Sequence, residues 1–219
     1  EFAFLNGRVG VVPMGYDPDD FTSIPAMPRP KDLVGKFLLV HAGRIYPQAR
    51  DPRPFLEALA QVRIENPEAA DRLRVVLVGE VDPEVAASVD ANNLNDHVQL
   101  LPWVPLQESI AWMKAADYLL LFGNKGGLQI PGKVYQYLGC RKPIFMTQLV
   151  DEDPTAQVVT LAPAARVVRN EVDDLKSALL EIVKRPPAPT SGHEGEAFAW
   201  PTLMRRLADQ IASSRRAAT

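Results

Sequence analysis

The sequence predicts an α/β domain with a doubly wound, Rossmann-like parallel sheet, and three observations carry that prediction. Five short segments are apolar without alternation, as in strands covered on both faces. Each is followed by a stretch of helical length with apolar residues three and four positions apart. The strand-helix alternation continues from residue 36 to residue 183, which implies parallel strands joined by right-handed crossovers.

Residues 1–35 read as a lead outside that core. Arg8-Val9-Gly10-Val11-Val12-Pro13 reads as a short strand and residues 15–21 as a turn-rich stretch. Pro25, Pro28 and Pro30, with Pro18 upstream, exclude regular helix or central strand over residues 22–30, because each removes a backbone donor and fixes φ. The alternation then begins. Strands are predicted at residues 37–41, 75–78, 98–101, 118–122 and 143–146, with an edge strand at 166–168. Helices are predicted at 54–64, 84–92, 105–115, 133–138 and 172–183, and Asp153-Pro154 has the form of an N-cap and first helical residue. The connection 184–195, rich in Pro, Ser and Gly, precedes a last helix from 197 to 213. The expected division is a lead at 1–35, a sheet domain at 36–190 and a C-terminal helix at 191–219.

Composition narrows the function classes. With 47% hydrophobic residues among 219, a chain of this size buries about 70% of its extended surface without staples. The single cysteine, Cys140, excludes a disulfide framework or a cysteine-rich zinc site and suits the cytoplasm. A net charge of -3 offers little general attraction for nucleic acid, so any anion site must be local. No apolar run approaches the ~20 residues of a membrane span. Glu1-Phe2, without a starting Met, points to an excised or processed piece, or to a cloning scar.

Open parallel sheets bind ligands beyond the carboxyl ends of their strands, which directs attention to three loops. After the first strand come Gly43, Arg44 and Arg50. Their glycine permits close approach and their guanidinium groups suit phosphate, though both arginines also read as solvated loop charges. Between the fourth strand and its helix lie Gly123, Gly126, Gly127, Gly132 and Lys133. Converging loop amides and a helix N-terminus there make an anion cradle; the other reading is a flexible connection. It is not a Walker A loop, since Val134 follows Gly132-Lys133. After the third strand, Trp103 suits either a nucleobase or the core. His41, His97 and His193 lack metal spacing, and residues 151–153 read as capping and solvated surface. Cys140 reads as a small buried apolar residue, and no serine sits in a nucleophile elbow.

Taken in order, these segments resemble the C-terminal, donor-binding domain of family-four (group 1) retaining glycosyltransferases, enzymes with two Rossmann-like domains in the GT-B fold. Val11-Val12-Pro13-Met14-Gly15-Tyr16-Asp17 is similar to IPNG(V/Y)D and His41-Ala42-Gly43-Arg44 to YxGR. Residues 98–104 are similar to VxFxGxV, and residues 130–138 to xPxKxxEYLA, followed by Lys142-Pro143-Ile144. The resemblance implies that Arg44 and Arg50 hold a donor diphosphate, met by Gly126, Gly127, Gly132 and Lys133 from the opposite side, with Trp103 beside the base. Gln136 falls where the family places the second glutamate of a pair, which binds ribose, and Leu128 where it places the first. Both carboxylates are therefore absent, and Met14 and Pro102 also depart from the pattern.

The expected function is the nucleotide-sugar half of a metal-independent glycosyltransferase of glycan or polysaccharide synthesis, with no catalytic residue assigned. It has no cofactor besides its nucleotide diphosphate sugar substrate. The N-terminal acceptor domain lies outside this chain, nucleic acid is no partner, and the longer protein has scope for peripheral membrane association. The alternatives are a catalytically degenerate nucleotide-sugar sensor or scaffold, a related sugar-nucleotide epimerase, for which no characteristic residues stand out, and an unrelated nucleotide-binding α/β domain.

Overall fold

The computed structural model describes residues 9–127, 129–185, 187 and 194–216. Six strands, β1 (Phe37–Ala42), β2 (Leu73–Val78), β3 (Val98–Leu101), β4 (Tyr118–Phe122), β5 (Ile144–Gln148) and β6 (Arg166–Arg169), form one sheet in the order β3-β2-β1-β4-β5-β6. Every neighbouring pair is parallel. From β1 the chain winds one way through β2 and β3, then returns to start β4 on the other side of β1. The reversal opens a crevice between β1 and β4 at their carboxyl ends.

The absence of alternation within the strands has its reason in two cores. Phe37 and Leu39 of β1, with Tyr118, Leu120 and Phe122 of β4, face one core, while Leu38, Val40 and Ala42, with Leu119 and Leu121, face the other. Helices α2 (Arg53–Glu65), α4 (Pro83–Ala91) and α8 (Val172–Lys184) cover the first face. Helices α5 (Leu106–Ala115), α6 (Lys133–Cys140) and α7 (Pro154–Val159) cover the second. Tyr137 of α6 ties the sheet to its helix, accepting from the Ala42 amide at 2.9 Å and donating to the Leu120 carbonyl at 3.1 Å. Burial raises its pKa, keeping the phenol protonated as that donation requires.

Several expectations need correction. No strand occurs at 9–15; Val9 and Val11 are exposed, and Arg8 lies outside the described residues. Pro13 removes a donor, and the one bridge at this point pairs Tyr16 with Ala199. Helix α1 (Pro18–Ser23) runs from the turn-rich stretch into residues 22 and 23, where helix was not expected; its Asp17 cap accepts from the Asp19 amide at 3.0 Å, and Pro18 sits in the first turn, where a missing donor does no harm. Helix α3 (Pro67–Arg72), capped by Asn66, was not foreseen. The last helix, α9, runs Trp200–Arg216 behind a short 3-10 turn at Glu194–Phe198, so it starts later than the expected residue 197.

The lead lies against the sheet domain. Phe21 and Tyr16 are buried against Gly139 of α6, where a Cβ would stand 2.6 Å and 2.8 Å from their rings. Arg29 donates to the Ala115 and Lys36 carbonyls and pairs with Asp117 at 2.8 Å, while Asp117 accepts from the Leu38 amide.

Candidate functional site

The carboxyl ends of β1 and β2 run on together. The Gly43 amide donates to Val78 O at 2.8 Å and the Ile45 amide to Glu80 O at 3.2 Å, and Ile45 bridges Val81. Gly79, at φ +131°, lets the two loops meet, because a Cβ there would fall 2.7 Å from the Gly43 carbonyl oxygen. This pairing aims Arg44 and Glu80 into a cleft of about 400 Å³ that Gly43, Gly79, Trp103, Ser109 and Lys133 also line. Following the sheet order, the cleft runs from Lys133 at the head of α6, across β1 and β2, to Trp103 beyond β3.

Gly43, Arg44, Trp103 and Lys133 thus converge, as the carboxyl-end rule requires. Trp103 is 75% exposed, so the core reading of this tryptophan fails: β3 ends at Leu101 and leaves the indole on the cleft wall. Arg44 is half-exposed, pairs with Glu80 at 3.1 Å and stacks over the Tyr46 ring at 4.5 Å. Arg50 turns instead toward the glycine loop, where its Nε donates to Asn124 Oδ1 at 2.7 Å. Asn124 donates in turn to the Gln129 carbonyl at 2.6 Å, and the Lys125 amide to Ala49 O at 2.8 Å, so the loops after β1 and β4 are fastened to each other.

The remaining glycines do not line this cleft. Gly127, at φ +59°, packs against Val150; Gly126 has open space; Gly132 caps α6 beneath the thioether of Met14. Gln136 is also outside the lining, and its Oε1 is buried without a hydrogen-bond partner. Leu128 and His193 lie outside the described residues.

The electrostatics favour an anion. Burial pulls both Lys133 and Arg50 below the usual values of their side chains. Among the described residues neither has a carboxylate partner, so two desolvated cations stand without counter-charge. Their charges both act on His41, which burial pushes down to about 4. His41 Nδ1 lies 2.9 Å from the Leu120 carbonyl, which can only accept, so Nδ1 carries the proton and Nε2 is a bare acceptor. That Nε2 has no partner and lies 3.7 Å from where a Gly43 Cβ would be, with Lys133 Cε at 3.4 Å from the same point. A side chain at residue 43 would fill the space between imidazole and lysine, so glycine keeps it open.

Sequence reasoning missed Glu80 and Asn124. Asn124 sits within a loop that the sequence singles out, and Glu80 directly follows the Val78-Gly79 end of a strand, where the carboxyl-end rule was available to find it. Cys140 is buried as expected, its thiol pushed up to about 12. Among the described residues no group of three or more His, Cys, Asp or Glu could hold a metal, and no helix is long and apolar enough to cross a membrane.

Residues 36–185 match the family model described as Glycosyl transferases group 1. The chain belongs to that family. Among solved structures it is similar to HepE (Alr3699) of Anabaena in complex with UDP and glucose, at 15% identity and TM-score 0.65 over 93% of this chain and 56% of that one. It is also similar to the C-terminal domain of LpcC, a glycosyl transferase group 1 family protein of Francisella tularensis, at 18% identity and TM-score 0.54 over 78% of this chain and 88% of that one. A putative UDP-N-acetylglucosamine 2-epimerase from Listeria monocytogenes shares the backbone path at 10% identity and TM-score 0.58, over 91% of this chain and 51% of that one. This group 1 chain therefore spans about half the length of HepE and of the epimerase, and it has the Rossmann-like half of the GT-B architecture. A search of the curated proteins finds no match.

Proposed function

We propose that this group 1 chain is the nucleotide-sugar-binding part of a glycosyltransferase, which transfers a sugar from a nucleotide diphosphate donor to an acceptor held by an N-terminal half outside the chain. The observation that carries the reading is Lys133, a desolvated cation without a carboxylate partner among the described residues, which stands beside the open face of Gly43 in a cleft that also holds Arg44 and ends on Trp103, with Arg50 desolvated at the neighbouring glycine loop. A diphosphate supplies the missing counter-charge, and the indole supplies a stacking surface for a base. When the bond between sugar and diphosphate breaks, negative charge grows on the leaving diphosphate. Lys133, Arg50 and Arg44 are fixed cations for that charge, aided by amides at the head of α6. In this reading residues 1–35 carry the chain from the acceptor half, residues 36–190 hold the donor, the loop of Gly126, Gly127 and Gly132 flanks the cleft without lining it, and Gln136 stands outside the lining. In the same reading the longer protein works in the cytoplasm, needs no metal, and has scope for peripheral membrane association.

HepE was solved with UDP, which makes UDP-sugars the first probes. A thermal-shift panel of UDP-, GDP-, ADP- and TDP-sugars tests the reading, because a ligand at 100 times its Kd adds about 2.7 kcal/mol to stability. A stabilising shift with one donor class, lost in Lys133→Ala, is expected. No shift with any donor at millimolar concentration overturns the donor site. The sensor or scaffold reading draws on the amide at Gln136, whose oxygen is buried and unpaired. Turnover by the complete protein separates it from the enzyme.

A further inference from the structure

We infer that Glu80 holds the ribose hydroxyls of the nucleotide, making this site selective for ribonucleotides over 2′-deoxyribonucleotides; the inference rests on the proposed donor site. Glu80 is the first residue beyond the Val78-Gly79 end of β2, and among the described residues it is the only carboxylate lining the cleft. Its side chain is 62% exposed, and its one ion-pair partner among the described residues is Arg44 at 3.1 Å. Along the cleft it stands between the cationic end, at Lys133 and Arg44, and the exposed indole of Trp103. A nucleoside diphosphate with its phosphates at the cations and its base on the indole places its sugar over β2. There a carboxylate accepts from vicinal hydroxyls, as acidic side chains near the end of the second strand do in dinucleotide-binding folds of the same strand order. The alternative acceptor, Gln136, does not line the cleft, and its amide oxygen is buried.

Position also favours ribose over phosphate as the target of Glu80. A carboxylate repels a diphosphate, but the Arg44 guanidinium has five donors and can serve Glu80 and a phosphate oxygen together. Glu80 then holds Arg44 at the phosphate end while its remaining lone pairs accept from the sugar. The backbone gives the arrangement little freedom, since the two loops touch at Gly43 and Gly79.

Titration calorimetry of the 219-residue chain with UDP and GDP, each beside its 2′-deoxy counterpart, tests the inference. A charge-assisted hydrogen bond lost with the 2′-hydroxyl predicts about a tenfold preference for the ribonucleotide in the unaltered chain. Glu80→Ala should bring that ratio near one, and Glu80→Gln, which keeps one neutral acceptor, should leave an intermediate ratio. A Glu80 that acts only through Arg44 would weaken ribo- and deoxynucleotide alike and leave the ratio unchanged, which overturns the inference. So does an unaltered chain that binds both sugars equally while still binding nucleotide, a result that leaves the donor site standing. Failure of both UDP and GDP to bind overturns the donor site and this inference with it.

Discussion

Replacing Gly79 with alanine should damage both the fold and the cleft, through one backbone contact. The new Cβ would lie 2.7 Å from the Gly43 carbonyl oxygen and 2.9 Å from the Gly43 carbonyl carbon, and neither can rotate away as a side chain could. The φ of +131° adds strain for any residue with a Cβ. Overpacking costs about 1–3 kcal/mol and an unfavourable backbone conformation a similar amount, so a loss of ~2–6 kcal/mol is expected. At a urea m-value of about 2 kcal/mol per molar, that lowers the unfolding midpoint by roughly 1–3 M. Relief by separating the loops would draw Gly43 and Arg44 away from Glu80, so nucleotide affinity should fall in the molecules that remain folded. Gly126→Ala is the matched control, with open space around its α-carbon and no positive φ. There the loss of unfolded-state freedom predicts a change of no more than about 1 kcal/mol, toward greater stability. Urea unfolding followed by circular dichroism compares the two variants. Equal midpoints for Gly79→Ala and Gly126→Ala would refute the account of how β1 and β2 set the cleft.

Two further outcomes follow from the site. Burial depresses the His41 pKa to about 4 from the ordinary imidazole value of 6.5, so the unfolded chain binds the extra proton first. The stability linked to neutral His41 is complete above pH 6.5 and is lost as pH falls toward 4, by ~3 kcal/mol in all at about 1.4 kcal/mol per pH unit. His41→Phe should flatten the pH dependence of unfolding free energy by about one proton in that window, and an unchanged slope would show that another group carries it. Asn124→Ala removes the acceptor of Arg50 Nε and the donor to Gln129 O, freeing the arginine and the glycine loop together. Calorimetry with the best donor should show a loss of about fivefold to thirtyfold in affinity, and unaltered affinity would mean that Arg50 does not need this anchor.

The sequence by itself determined the elements whose signals are local. Strand β4 is continuous apolar chain because both its faces meet cores, and its ends at Tyr118 and Phe122 fall where the residues predict. The Asp153-Pro154 cap forms as expected, with Asp153 Oδ1 accepting from the Thr155 amide at 2.8 Å. The same signal stands at Asp17-Pro18 and Asn66-Pro67, where α1 and α3 begin, so those two helices were legible and were missed because short helices leave too few turns for an apolar period. What only the tertiary structure decided depends on contacts between distant segments. Propensity gives Trp103 to the core, and the end of β3 at Leu101 instead leaves it on the cleft wall. Arg44, Glu80 and Lys133 meet because β1 lies between β2 and β4, an order fixed by strand pairing rather than by any residue within the three loops. Arg50 shows the same limit. Its charge is readable in the chain, but its burial and its hold on Asn124 arise when the loops after β1 and β4 close on each other, and desolvation without a counter-charge is a property of that packing alone.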